Sequence, residues 1–248
     1  MKKIRLYIDN KTLSQDISLE LTPKQSHYTC NVMRLKKNNN LFIFNGRDGE
    51  WLGEIVSISH NKLVKVVIKQ CVKRQEECKK NLYLYCPIVK NNALNNIIRQ
   101  ATEMGVTCIQ FIVTEYTAVK SVNLTRTRLQ AIEAAQQCGR INVPEILPAI
   151  NFRDLPDSQD RNFILCNKTE QKEHFNKIHK NKKNIAVIVG PEGGFSCNEL
   201  NFADKFCQKL NLGKRTLRVD TAVVAALTFA NINTIYLYKV CTNNEALN

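Results

Sequence analysis

The residues best suited to chemistry lie in two short stretches near the end of the chain. The first, Ile185-Ala-Val-Ile-Val-Gly-Pro-Glu-Gly-Gly-Phe-Ser196, carries a dense apolar run into a loop holding three glycines and one carboxylate, Glu192. Gly190, Gly193 and Gly194 would let a ligand lie against main-chain N–H and C=O groups, because no Cβ intervenes. Ser196 and Glu199 have the spacing of a capping box, so a helix should begin at about Cys197. Strand, glycine loop, helix is the place where open α/β sheets hold nucleotide-like ligands. The spacing fits neither the phosphate-binding Walker loop nor the dinucleotide fingerprint. The same glycines would also serve a plain strand-to-helix turn. The second stretch, Leu212-Gly-Lys-Arg-Thr-Leu-Arg-Val-Asp-Thr-Ala222, is a cationic loop feeding an Ala- and Val-rich helix that runs to about Asn233. Either Asp220 or Thr221 can cap that helix. Arg215 and Arg218 could each clamp a phosphate or polarise a base, although a lone Arg is more often a solvated or ion-paired surface residue.

The elements that must position these loops show as two regimes of hydrophobic period. Ile4 to Asp9, Leu41 to Phe44, Trp51 to Ser59 and Leu63 to Lys69 read as short strands, with turns at Asn45-Gly46 and Asp48-Gly49. One helical patch near His27 to Leu35, with Pro23 ahead of it, interrupts them. So many short strands in so short a span predict a small β-barrel or sandwich. Gln70 to Lys80, charged and aperiodic, reads as a linker. Beyond it, Leu82 to Val89 is strand-like, and Leu94, Ile97, Ile98, Ala101 and Met104 follow helical spacing up to Gly105. Cys108 to Val113 predicts a strand and Leu129 to Gln137 a helix. Phe163 to Cys166 and Ile185 to Val189 have the look of buried parallel strands. The alternation implies an α/β domain with a mainly parallel sheet.

Bulk properties narrow the function classes. The net charge is +14, and the first 75 residues hold 14 Lys/Arg against 6 Asp/Glu, more than twice the basic excess per residue of the remainder. That balance suits a polyanionic partner, although a Lys-, Asn- and Ile-rich composition can also arise by drift. No apolar run is long enough to span a bilayer, and no signal-peptide core follows Met1-Lys-Lys-Ile-Arg5, so a cytoplasmic protein without membrane association is expected. The ten cysteines show no CxxC pair and no matching His pair, so no metal site is expected.

Gly190-Pro-Glu-Gly-Gly-Phe-Ser196 with Glu199, then Leu212-Gly213 and Leu217-Arg218 leading to Thr221-Ala222 and Ala225-Ala226-Leu227, resembles the ribosomal RNA small subunit methyltransferase E family. Gln100-Ala-Thr-Glu-Met-Gly105, Glu133-Ala-Ala-Gln-Gln-Cys-Gly-Arg140 with Val143-Pro-Glu145, and His27 with Val32-Met-Arg-Leu35 ahead of Asn45-Gly46 are similar to the same family. The resemblance runs in order over nearly the whole chain. It departs at Ala93 and Asn95, where the family has a basic and an acidic residue, at Gln100 for a Lys, at Asp220 for a Glu, and at Asn39-Asn40 for a Gly-Asp turn.

The resemblance implies a PUA-like RNA-binding β-barrel over residues 1–72 and, over 73–248, an α/β domain of the SPOUT superfamily tied in a deep trefoil knot. It implies S-adenosyl-L-methionine as cofactor, held by Leu165 and the loop after Phe163-Ile-Leu-Cys166, by Gly190, Glu192, Gly193 and Gly194, and by Leu212, Gly213 and Leu217. It implies a homodimer that methylates N3 of a uridine in 16S ribosomal RNA of the small subunit. Arg5, His27, Arg34 and Arg140 are the candidate RNA contacts. Arg218 is the candidate for stabilising charge on the base, and Glu192 or Asp220 for accepting the N3 proton. Two other readings share parts of this pattern: a ribose 2′-O-methyltransferase of the same superfamily acting on ribosomal or transfer RNA, and a non-catalytic RNA-binding or ribosome-assembly factor. A nucleotide-binding oxidoreductase is disfavoured, since no dinucleotide fingerprint follows a first strand.

Overall fold

The computed structural model describes residues 3–9, 11–75, 81–119, 121–155, 160–167 and 184–245, with the side chains of 91 and 233–245 excepted. Two units emerge, Met1–Glu77 with Ala135–Val143, and Cys78–Ala134 with Pro144–Asn248. The second stretch of the first unit lies far along the chain, beyond the reach of any single cut in the sequence. Part of the expected linker is strand, because β5 continues to Lys73; the remainder beyond Gln75 lies outside the described residues.

In the first unit, β1 (Arg5–Tyr7), β2 (Ser18–Glu20), β3 (Asn40–Phe44), β4 (Glu50–Ile58) and β5 (Val64–Lys73) form one sheet in the order β1-β3-β4-β5-β2. Alternate residues of all five strands enter one core: Leu6, Leu19, Leu41, Ile43, Ile55, Val66 and Ile68 are buried together. The expected helical patch starts earlier than its apolar residues suggest. Thr22 and Gln25 make a capping box that opens α1 (Pro23–His27), and the chain then widens into a π-turn over Tyr28–Val32. Asn45-Gly46 is a turn, as predicted. Asn45 Oδ1 accepts the N–H groups of Arg47 and Asp48 at 3.0 and 2.9 Å, and Gly46 takes φ +81°.

The second unit is α/β. Strands β6 (Leu82–Pro87), β7 (Cys108–Val113), β8 (Glu145–Asn151), β9 (Arg161–Cys166), β10 (Asn184–Val189) and β11 (Cys207–Leu210) form a sheet in the order β11-β9-β10-β6-β7-β8, and every pairing is parallel. Helix α2 (Asn91–Glu103) buries Leu94, Ile97, Ile98 and Ala101, the face its spacing predicts. Helix α3 (Leu124–Cys138), whose residues from Ala135 on count with the first unit, begins five residues before the expected Leu129, because the Asn123 side chain accepts the N–H of Arg126 at 2.9 Å and caps it. Helix α4 (Cys197–Ala203) opens on the Ser196/Glu199 capping box. Helix α5 (Val219–Glu245) begins before Asp220, so neither Asp220 nor Thr221 is its cap. Its first bond runs from Ala222 N–H to the Arg218 carbonyl at 2.8 Å. Asp220 instead sits in the first turn, where its charge complements the helix dipole.

Candidate functional site

Three connections leave the carboxyl ends of the neighbouring parallel strands β11, β9 and β10, the end at which such sheets bind ligands. Asn167 N–H reaches the Leu210 carbonyl at 3.1 Å and joins the ends of β9 and β11; the loop expected after Cys166 lies, beyond Asn167, outside the described residues. Gly194 N–H closes a turn on the Pro191 carbonyl at 2.9 Å, with Gly194 at φ +73°. Around these loops lies a cavity of about 250 Å³ lined by Cys166, Asn167, the run Val189–Phe195, Asn211 to Gly213, Arg215 to Leu217, Val219 and Ala222. Gly190, Glu192, Gly193, Gly194, Leu212, Gly213 and Leu217, all named from sequence, therefore share one cavity. Leu165 is not in that lining; its side chain is fully buried in the sheet core, and Cys166 and Asn167 hold the rim in its place.

The walls are close-built. A Cβ on Gly190 would lie 2.7 Å from the Phe195 ring, so only glycine fits beneath that ring. A Cβ on Gly193 would meet the Tyr116 Cβ at 3.0 Å. Glu199 is 5% exposed, and its carboxylate accepts Ser196 N–H at 2.9 Å and Glu115 N–H at 2.8 Å. A buried carboxylate satisfied by two backbone donors is a strong tether, and this one joins α4 to the connection after β7.

A second cleft, about 1080 Å³, shares Pro191, Glu192 and Val219 with the first cavity and is lined further by Lys90, Arg126, Arg218 and Asp220. The three candidate catalytic residues, Arg218, Glu192 and Asp220, therefore border one space, and Glu192 borders both. Arg218 and Glu192 are exposed and Asp220 is half-buried. Asp220 accepts from Asn96 Nδ2 at 3.1 Å and from Thr221 N–H at 3.0 Å. Ala93 and Asn95 line the same cleft, where Gln130 donates to Asn95 at 2.6 Å, an amide pair where the resembling family has charges. Asn96, within α2, Arg126, in the first turn of α3, and Asn167, just past β9, carried no signal in the sequence, being polar residues outside any motif.

Of the candidate RNA contacts, Arg5 must be reassigned. It is 6% exposed, ion-paired with the buried Glu50, and donates to the carbonyls of Ala135 at 2.6 Å and Arg140 at 2.9 Å. Its charge is consumed inside the first unit. Its strand alternation with Leu6 gave no warning, because a buried Arg needs carbonyls from a distant segment to satisfy it. His27 and Arg34 are exposed, and Arg34 holds φ +55° after the π-turn. Arg140 is half-buried, with Nε donating to Asn142 at 2.6 Å.

The described cysteines Cys30, Cys71, Cys86, Cys108, Cys138, Cys166, Cys197 and Cys207 are free thiols. Burial pushes Cys86 up to about 12 and Cys108 to about 11, which keeps these two unreactive. Among the described residues no cluster of His, Cys, Asp and Glu could hold a metal ion, and no helix is long and apolar enough to cross a membrane.

Comparison with known proteins agrees with this architecture. Residues 76–231 match the RNA methyltransferase domain family and residues 21–68 the RNA methyltransferase PUA domain family. Fold and site thus define an RNA methyltransferase of the SPOUT type with an N-terminal PUA domain. The ribosomal RNA small subunit methyltransferase E of Rickettsia conorii is 35% identical over 233 residues, 92% of this chain and 94% of that relative. The protein of the same name from Synechocystis sp. is 30% identical over 225 residues, 87% and 73% of the two chains. The crystal structure of ribosomal RNA small subunit methyltransferase E from Neisseria gonorrhoeae, bound to S-adenosyl methionine, superposes with a TM-score of 0.82 at 26% identity, covering 94% and 98%. The chain belongs to the ribosomal RNA small subunit methyltransferase E family.

Proposed function

We propose that the protein transfers a methyl group from S-adenosyl-L-methionine to N3 of a uridine in 16S ribosomal RNA of the small subunit, working in the cytoplasm as a homodimer whose second domain carries the trefoil knot. The observation that carries this reading is the junction at Glu192, where a glycine-walled cavity meets a cleft bearing Arg218 and Asp220.

The residues fit the cofactor. Four of the lining residues, Gly190, Gly193, Gly194 and Gly213, carry no Cβ, so a flat adenosine moiety can lie close against the main chain there. A Cβ at Gly194 or Gly213 would meet nothing within 4 Å, so both face open space. The loops Gly190–Gly194 and Leu212–Leu217 would hold the group, with Arg215 available to its carboxylate. When bound, it supplies an electrophilic methyl group that needs no activation.

The chain's own work is alignment and charge management. Uridine N3 is a poor nucleophile until its imide proton leaves. Glu192, which borders both spaces, accepts that proton in this reading. Arg218 stabilises the negative charge that develops on the uracil oxygens. Asp220, already accepting from Asn96 and Thr221, holds the first turn of α5 and so the Arg218 backbone in place.

Arg218→Ala is the test. Loss of a donor to a developing anion costs on the order of 10²-fold in rate, so the single-turnover rate with saturating cofactor should fall by that factor while subunit binding changes little. A normal single-turnover rate with weakened binding would reassign Arg218 to a phosphate contact.

A further inference from the structure

Tyr116 is the one aromatic among the large hydrophobic side chains left exposed in the described residues; it is 50% exposed, and Leu129 and Ile232, its exposed counterparts in the second unit, are aliphatic. An exposed tyrosine on a loose loop would mean little, but this one is mounted rigidly. It lies in a turn after β7 in which Thr114 N–H donates to Thr117 Oγ1 at 2.9 Å and Thr117 N–H returns to the Thr114 carbonyl at 3.1 Å. The preceding residue, Glu115, is fixed by its N–H bond to the buried Glu199 carboxylate at 2.8 Å. Tyr116 also abuts the glycine loop. A Cβ on Gly193 would lie 3.0 Å from its Cβ, 3.4 Å from Cγ and 3.7 Å from Cδ2, so the side chain stands against the loop next to Glu192.

Ala118 and Val119, directly after the turn, line the cleft that also holds the exposed cations Lys90, Arg126 and Arg218. A firmly held, exposed aromatic against the glycine loop, followed by residues that enter a cleft with cations in its wall, makes the pattern that receives an unpaired nucleotide. The cations take phosphates, while the ring takes the face of a base. We infer that Tyr116 is a substrate-positioning residue, stacking on an unpaired base of the RNA at the mouth of the catalytic cleft. This rests on the methyltransferase reading above and extends it to the manner in which the RNA strand is held open.

The test uses the full-length protein with small ribosomal subunits lacking the modification. Subunit Kd by filter retention, KM and kcat by labelled methyl transfer, and cofactor Kd by calorimetry are measured for wild type, Tyr116→Ala and Tyr116→Phe. Loss of one base stack should raise subunit Kd and KM roughly 5- to 150-fold in Tyr116→Ala, with cofactor Kd within twofold of wild type, and Tyr116→Phe should restore both. Unchanged subunit Kd in Tyr116→Ala overturns the inference. So does a parallel loss of cofactor affinity, which would make the ring a prop for the glycine loop, or a shift to monomer in sedimentation, which would make it a contact between copies. Absence of methyl transfer by wild type would defeat the proposed function separately, while the filter-retention comparison still decides the stacking role.

Discussion

The buried carboxylate of Glu199 accepts the backbone N–H of Glu115 at 2.8 Å, and so ties the helix after the glycine loop to the connection beside it. Its other oxygen takes the Ser196 N–H at 2.9 Å. Glu199→Ala strands both N–H groups, that of Ser196 in the buried interior and that of Glu115 nearer the surface. Each unsatisfied donor costs about 1–3 kcal/mol, so urea denaturation should show a loss of that order or greater. Cofactor affinity by calorimetry should fall several-fold, because the Gly190–Phe195 wall loses its anchor. Glu199→Gln keeps one acceptor but sets an amide N–H against the other donor, so it should recover only part of the loss.

Arg5 and Glu50 make a second internal tether, within the first unit. Removing one member of a buried pair costs about 3–5 kcal/mol because the other is left charged and unpaired. Arg5→Ala should therefore lower stability strongly, with Lys3 offering Glu50 partial relief at 2.6 Å.

The same carboxylate gives a pH signature. Burial pushes the Glu50 carboxyl upward, but the hydrogen bonds and charges of Lys3 and Arg5 outweigh it and hold the group below its ordinary value of 4.5. Its folded pKa lies under its unfolded one, so the stabilisation is complete above that value and lost as pH falls through the lower one. Thermal melting should show Glu50→Gln well below wild type at neutral pH. The gap should narrow in acid; a constant gap would contradict the pairing.

Gly190 sits where a methyl group would lie 2.7 Å from the Phe195 ring. Gly190→Ala should therefore displace the ring and weaken cofactor binding at least tenfold by calorimetry, with a smaller loss in melting temperature. Phe195→Leu in the same chain, by making room, should recover part of that affinity.

Both the candidate site and the strand-helix alternation were legible because they rest on local signals: a capping box, a glycine loop and apolar spacing. The strands that escaped detection, β2, β8 and β11, all lie at sheet edges. Edge strands are short and tolerate polar residues and proline; β8 contains Pro148, and β11 is four residues of mixed polarity. Arg5 escaped for a different reason. Its partners are carbonyls 130 and 135 residues away, and no local pattern announces them. Leu165 was placed one residue too deep, since alternation turns its side chain into the core and leaves the rim to Cys166 and Asn167.

The most direct measurement incubates purified protein with labelled S-adenosyl-L-methionine and small ribosomal subunits from cells lacking the modification, then identifies the methylated nucleoside by mass spectrometry. The account predicts 3-methyluridine, in one equivalent per subunit. A 2′-O-methylated nucleoside would contradict the assignment of base chemistry to Arg218 and Glu192, and an absence of both transfer and cofactor binding would contradict the enzyme itself.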